Sequence, residues 1–193
     1  MQLKSDKQKQ IIKTAQSLFW KYGMRRVSIE EICREANVSK MTFYKFFKNK
    51  VDLVKYILDK IMEDSSKEYQ TIMNQDIPFH EKVAQTIDLK LRSVDKISPE
   101  FYADIHQNAV PEVSKHFQNI SNRVLNLIVD DFKNAQRNGE VSKDLKIEFI
   151  MYQLEKLFAM AGDQKLISLY GSPQDLIMQL TRFFFYGILP RDN

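Results

Sequence analysis

The chain has little of what interrupts helices. It contains 5 glycines, 5 prolines and few clusters of β-branched residues in 193 positions, a composition that favours an all-helical fold. It has no run of 18 apolar residues, so no membrane span is predicted. Its first ten residues, MQLKSDKQKQ, lack the apolar stretch of an export signal. The single cysteine, Cys33, cannot form an intrachain disulfide, which predicts a reducing, cytoplasmic location.

The residue patterns of catalytic and metal sites are also missing. The three histidines, His80, His106 and His116, show no i, i+4 pairing, and there is no second cysteine to complete a metal site. No Glu-x-x-His pair, glycine-rich phosphate loop or Ser/His/Asp pattern stands out. We therefore predict a protein that is not an enzyme and that requires no cofactor and no metal.

Charge is distributed unevenly along the chain. Residues 1–50 hold 12 Lys and Arg against 4 Asp and Glu, a net charge of +8, whereas the remaining residues carry −4. Hydrophobic residues make up 44% of the sequence, which is enough for a sizeable core. A basic end on a mildly acidic body indicates a nucleic-acid-binding segment attached to a second domain.

Helix 1 is predicted from Ser5 to Tyr22, because its apolar residues recur on one face of a 3.6-residue repeat. Gly23 follows it in the position where glycine commonly ends a helix. Ser28 and Glu31 then form a capping box, which predicts the start of helix 2.

Asn37 is predicted to end helix 2, because asparagine tolerates the left-handed conformation. Ser39 caps helix 3, predicted over Lys40 to Phe46, and Asn49 caps a long helix 4. Two short helices joined by a tight turn are thus expected in the most basic part of the chain, with Phe43 and Phe47 in the core.

Serine, proline and aspartate signals predict five further helices, for nine in all. They run from Pro78 to about Asp95, from Pro99 onward, from Pro111 to about Asn138, from a cap at Asp144 to about Gly162, and from Pro173 to about Leu189.

Several residues at fixed spacing in the first fifty positions resemble the DNA-binding domain of the TetR family of bacterial transcriptional regulators. The matching residues are Tyr22-Gly23, Ser28, Ile32, Ala36, Val38-Ser39, Phe43-Tyr44, Phe47, Lys50 and Leu53. Two positions depart from the family pattern: Asn37 and Met41 both stand where glycine is common. The resemblance implies a helix-turn-helix domain over 1–50 and a helical ligand-binding and dimerisation domain over 51–193.

The resemblance and the chemistry of helix 3 together predict the residues that contact DNA. Lys40 and Thr42 lie near the start of this helix, where they can reach base edges, and Met41 can add an apolar contact. The resemblance implies phosphate contacts at Tyr44, Ser28 and Lys50. The complete predicted set is Ser28, Ser39, Lys40, Met41, Thr42, Tyr44, Lys45, Lys48 and Lys50. A purely solubilising role remains an alternative for Lys45 and Lys48.

The last two predicted helices are too apolar to have a single buried face, which indicates a partner surface. The resemblance implies a four-helix dimer interface, predicted at Phe149, Leu154, Leu157, Leu176, Leu180, Phe183 and Phe184. Aromatic, methionine and polar residues of the body are candidates for an effector site: Phe101, Tyr102, His106, Phe117, Tyr152, Glu155 and Met160. Core packing remains the alternative for each apolar one.

The sequence therefore predicts a homodimeric, TetR-like repressor that binds a palindromic operator and is released by an apolar or amphipathic small molecule. The alternative is a helical protein whose basic end binds DNA architecturally or docks a protein partner, without a ligand switch. One discrete palindromic footprint would indicate the regulator, and broad coating of the DNA would indicate the architectural protein.

Overall fold

The computed structural model describes residues 6–94, 97–106, 109–161 and 163–188. The predicted all-helical fold is confirmed, and these residues form ten helices and no strand. The helices are α1 (Asp6–Tyr22), α2 (Ile29–Glu35), α3 (Lys40–Phe46), α4 (Lys50–Met73), α5 (Phe79–Val94), α6 (Pro99–His106), α7 (Pro111–Arg137), α8 (Ile147–Met160), α9 (Gln164–Tyr170) and α10 (Pro173–Ile188). The predicted helix limits at Ser5, Asp95, Gly162 and Leu189 lie outside the described residues.

The chain divides into two compact units that do not follow the predicted order along the sequence. Unit 1 comprises residues 1–62 and 96–118, and unit 2 comprises residues 63–95 and 119–193. Helix α6 and the first part of α7 therefore pack with the N-terminal helices. The functional boundary near residue 50 stays a prediction, since compactness is a different property from DNA binding.

The core of unit 1 joins the first helices to α6. Ile11, Ala15 and Phe19 of α1 are fully buried, as the apolar periodicity predicts. The Trp20 ring packs on the Phe101 ring of α6 at 4.5 Å between centroids. The backbone N–H of Ser98 donates to the carbonyl oxygen of Trp20 at 2.9 Å, so the start of α6 is fastened to the end of α1.

The core of unit 2 is a separate hydrophobic cluster. Its buried members come from α5, α7, α8, α10 and the α7–α8 connection: Phe79, Val83, Ile87, Phe132, Ala135, Val141, Ile150, Met178 and Phe184. Phe132 of α7 meets Phe79 and Phe184 in edge-to-face contacts, with ring centroids 5.9 and 6.2 Å apart. Burial of these aromatic rings contributes much of the stability of a cluster of this size.

Two details of the predicted helix order are wrong. Asp144 does not cap α8, which begins at Ile147 after Lys146 with no side-chain cap. The Gln136 amide donates to the carbonyl oxygens of Ser142 and Leu145, which holds this segment as a turn. The short helix α9 was not predicted, because seven residues are too few to show an apolar period. It is capped by Asp163, whose carboxylate accepts from the N–H groups of Lys165 and Leu166.

Within the described ranges, no helix combines the length and the apolar character that crossing a membrane requires.

Candidate nucleic-acid interface

Local capping shapes the α2–turn–α3 unit as predicted. The Ser28 hydroxyl accepts from the N–H of Glu31 at 3.1 Å, and the Ser39 hydroxyl accepts from the N–H of Thr42 at 3.1 Å. Between the two helices Asn37 has a positive φ of 50°, so the chain reverses there. The Val38 N–H donates to the carbonyl oxygen of Cys33 at 2.9 Å and closes the turn. These bonds direct α3 away from α2 at a defined angle.

Helix α3 has one buried side and one exposed side. Phe43 has no solvent exposure, whereas Met41 is 84% exposed and Tyr44 is 54% exposed. Lys40 and Lys45 are also exposed, and Thr42 is partly exposed. An exposed methionine beside an exposed tyrosine and two lysines is an unusual surface for solvent alone, and it suits contact with a partner. Five of the predicted DNA-binding residues thus lie together on a helix of seven.

Lys40 is held by an acidic neighbour. Its ammonium pairs with the carboxylate of Glu30 on α2. The hydrogen bond from Lys40 lowers the pKa of Glu30, and the same bond raises the pKa of Lys40. Both groups are exposed, and pairs of this kind contribute little free energy. Lys40 can therefore exchange Glu30 for another acceptor at little cost.

Lys50, the first residue of α4, has a different environment from the other predicted lysines. Its ammonium donates to the carbonyl oxygen of Val27 at 2.8 Å and to that of Arg25 at 3.3 Å. Burial lowers the pKa of Lys50, and the charge of Asp104 opposes that shift. The side chain therefore fastens the start of α4 to the α1–α2 turn.

The remaining predicted contacts lie at the surface around these helices. Ser28, Ser39 and Lys48 are exposed. The N–H of Lys48 donates to the Asp52 carboxylate, and the N–H of Asp52 donates to the Asn49 amide oxygen, which confirms the predicted cap of α4. Cys33 is buried on the inner side of α2, and burial raises the pKa of its thiol, which makes it a poor nucleophile.

Sequence reasoning overlooked Arg25 and Asp104. The carboxylate of Asp104 on α6 is 2.6 Å from the Arg25 Nε and 3.1 Å from its backbone nitrogen. A lone aspartate among the apolar residues of FYADIH was the available signal, because such a residue at helical spacing falls on a buried face.

The predicted effector residues separate into two groups. Tyr102, His106 and Phe117 meet in unit 1, where the His106 ring stacks on Tyr102 at 4.1 Å and contacts Phe117 edge-on at 5.4 Å. Phe101 is buried beside Trp20 in the same unit. The other three, Tyr152, Glu155 and Met160, are exposed on α8 in unit 2.

Unit 2 also has an open groove of about 350 Å³. It is lined by Lys67, Glu68, Thr71, Ile72, Gln85, Asp88 and Arg92. These residues are mostly polar or charged, and none of them is a predicted effector residue.

The predicted dimer residues also differ in burial. Phe149 and Phe183 are half or more exposed, and Leu154, Leu157 and Leu180 are partly exposed. Leu176 and Phe184 are buried within the protomer, at 1% and 6% exposure, so little of their apolar surface is left for a partner. Tyr152 and Tyr186 extend the exposed apolar surface on the same two helices, α8 and α10.

Comparison with known proteins agrees with this architecture. Residues 11–57 match the family described as bacterial regulatory proteins, tetR family. The chain is 23% identical over 155 residues to YhgD of Bacillus subtilis, an uncharacterized HTH-type transcriptional regulator, covering 79% of this chain and 81% of that protein.

Solved structures share the fold at low sequence identity. The fatty acid degradation regulator FadR of Bacillus halodurans has a TM-score of 0.73 at 15% identity, over 95% of this chain and 96% of that one. FadR of Bacillus subtilis, solved in complex with stearoyl-CoA, has a TM-score of 0.71 at 16% identity, over 93% and 98%. The capped helix-turn-helix lies inside the matched segment, so residues 11–57 form a DNA-binding segment of the tetR family, and the chain is similar to transcriptional regulators over most of its length.

Proposed function

We propose that this protein is a cytoplasmic, dimeric repressor that binds a palindromic operator through α3 and is released by a small molecule. The observation that carries the DNA-binding surface is the outer side of α3, where Met41 is 84% exposed beside Lys40 and Tyr44. A short helix of this kind fits the major groove, where its first residues reach base edges.

Each side chain on this surface has a role that its chemistry supports. Lys40 leaves Glu30 to donate to guanine, while Met41 and the methyl group of Thr42 pack on thymine methyl groups. Tyr44, Ser28, Ser39, Lys45 and Lys48 contact the phosphate backbone and set the register. A lysine ammonium has three donors, so Lys50 keeps one for a phosphate oxygen while two hold the α1–α2 turn.

Selection of bound sites from random DNA tests this assignment. Wild-type protein is expected to select an inverted repeat with half-sites about one helical turn, or a multiple of it, apart. Lys40→Ala or Thr42→Ala is expected to relax the motif at one position of each half-site, with a loss of about 1–3 kcal/mol there.

Lys45→Ala is the matched control, because it removes the same charge from the same helix without touching a base. It is expected to weaken binding to all sequences alike and to reduce the salt dependence. Selection of one unchanged motif by wild type and Lys40→Ala would contradict the base-reading role. Broad coating of DNA with no motif would favour the architectural alternative.

The effector part of the proposal rests on the Tyr102–His106–Phe117 group. The Tyr102 hydroxyl is buried and has no hydrogen-bond partner among the described residues. Burial raises the pKa of Tyr102, so the hydroxyl keeps its proton and can donate. A buried unpaired hydroxyl costs free energy, which a ligand with an acceptor oxygen can recover. Apolar ligands with a few polar anchors suit sites of this type.

Tyr102→Phe separates ligand binding from packing. The variant is expected to raise the unfolding free energy of the ligand-free protein by about 1–3 kcal/mol, since no unpaired hydroxyl remains buried. Its affinity for the effector should fall. Stearoyl-CoA, the ligand bound by the similar FadR, is the first probe, with thermal shift and operator release as readouts. Ligands that bind tightly and leave DNA affinity unchanged would overturn the release mechanism while the DNA-binding assignment stands.

A further inference from the structure

The α1–α2 turn is held by a buried carboxylate that the DNA-contact assignment does not use. Asp104 is only 2% exposed, and it is the one buried charged side chain among the residues whose burial is described. It lies on α6 between the buried residues Phe101 and Ile105. An ionised carboxylate is costly to bury unless it is paired and hydrogen-bonded. Loss of the bonds between Asp104 and its partners is therefore expected to have a large effect.

Those partners belong to the turn that leads into α2. Arg25 lies three residues before the Ser28 cap. Its backbone N–H donates to the Asp104 Oδ2 at 3.1 Å, and its Nε donates to Oδ1 at 2.6 Å. Both carboxylate oxygens are therefore used, and they fix the backbone and the side chain of one residue together.

Lys50 holds the same turn from the opposite end of the DNA-binding motif. Its ammonium, at the start of α4, donates to the carbonyl oxygens of Arg25 and Val27. Asp104 is near enough for its charge to favour protonated Lys50. One carboxylate from α6 and one ammonium from α4 thus set the path of the chain between α1 and α2.

The start of the turn approaches α6 so closely that only glycine fits there. Gly23 has a φ of +78°, and a Cβ at this position would lie 2.9 Å from the Asp104 Oδ2 and 3.1 Å from the Glu100 Cβ. The turn is therefore packed directly against α6 as well as bonded to it.

We propose that Asp104 is a positioning residue for DNA binding. Through Arg25 it fixes the α1–α2 turn. That turn sets the position of the start of α2 relative to the start of α4, and α3 lies between these two helices in the chain. The inference rests on the assignment of α3 as the DNA-reading helix.

Asp104→Asn distinguishes positioning from simple electrostatics by the sign of its effect. The variant loses one negative charge near a basic DNA-binding surface. Electrostatics alone therefore predicts that it binds DNA as tightly as wild type or more tightly. Asparagine has one acceptor oxygen, and its NH₂ group would face one of the two Arg25 donors. Positioning therefore predicts weaker binding, by about tenfold if the coupling has the usual size.

The measurement is fluorescence anisotropy on a duplex selected by the wild-type protein, across a salt series and well below the unfolding temperature. Glu112→Gln is the matched control, because it removes an acidic partner from another ion pair of unit 1, with Lys55 at 3.2 Å. The control is expected to bind as tightly as wild type or slightly more tightly. Trypsin should cut after Arg25 and Arg26 faster in Asp104→Asn than in Glu112→Gln.

Arg25→Lys keeps the proposal testable if Asp104→Asn does not fold. It leaves the net charge unchanged but loses the Nε–H donor, and it is expected to weaken operator binding. In the double variant the loss should be no greater than in the more affected single variant. Tighter or equal binding by both single variants, or losses that multiply in the double variant, would overturn the proposal. The DNA-reading role of α3 is tested separately, by the change in the selected motif that is expected of Lys40→Ala.

Discussion

Phe183→Glu is expected to give a folded monomer that loses about 100- to 10,000-fold in operator affinity. The reason is that a monomer binds one half-site only and loses the gain in affinity from binding two linked half-sites. Phe183 is 78% exposed on α10, so the substitution removes no contact of the protomer core. In the proposed dimer the same position is covered by the partner, where an unpaired charge is strongly unfavourable. Sedimentation at micromolar concentration and operator titration are the measurements.

The adjacent residue provides the matched comparison. Phe184 is 6% exposed and packs edge-on against Phe132 and Phe185, with centroid distances of 6.2 and 5.4 Å. Phe184→Ala is expected to lower the unfolding free energy by about 3–5 kcal/mol, because it leaves a cavity in the core of unit 2. Its surviving folded fraction should still dimerise.

These two neighbours therefore have opposite expected signatures. Phe183→Glu changes assembly with little change in unfolding temperature, and Phe184→Ala changes unfolding with little change in assembly. A wild-type protein that sediments as a monomer, or a Phe183→Glu variant that remains a dimer, would refute the interface on α10.

Phe43→Ala is expected to unfold the helix-turn-helix and abolish DNA binding. Phe43 has no solvent exposure and contacts the rings of Tyr44 and Phe47 at 5.5 and 5.9 Å. Truncation of a fully buried phenylalanine costs about 3–5 kcal/mol. Because α3 has seven residues, it cannot persist without this anchor. Circular dichroism melts should show the loss directly.

Tyr44→Phe is the control on the next position, and it should separate folding from contact. Tyr44 is 54% exposed, so loss of its hydroxyl is expected to leave the unfolding temperature unchanged. The lost hydrogen bond to a charged phosphate should weaken binding by about 1.5–3 kcal/mol on every sequence alike. Binding as tight as wild type would show that Tyr44 does not contact the backbone.

The local signals of the DNA-binding motif were readable from the sequence. Ser28, Asn37 and Ser39 act on groups within a few residues of themselves, so the serine caps and the positive φ of Asn37 follow from residue type and spacing. The exposed side of α3 was also predictable, because Phe43 and Phe47 left Lys40, Met41 and Tyr44 as the outward residues. The start of α8 was less accessible, since it depends on the contacts of Gln136 with Ser142 and Leu145. The short α9 was missed although its cap, Asp163, is also a local signal.

Long-range contacts decided what the sequence left open. The sequence determined the helical fold and the residues of the proposed DNA-reading helix, because local periodicity and capping encode them. Residues at fixed spacing carried the resemblance to the TetR family. Only the tertiary structure decided that Asp104 holds Arg25 across 79 positions, and that Lys50 bonds to the α1–α2 turn. It also separated Phe183 from Phe184 on a helix that is apolar on two sides, because burial depends on which elements pack against each face.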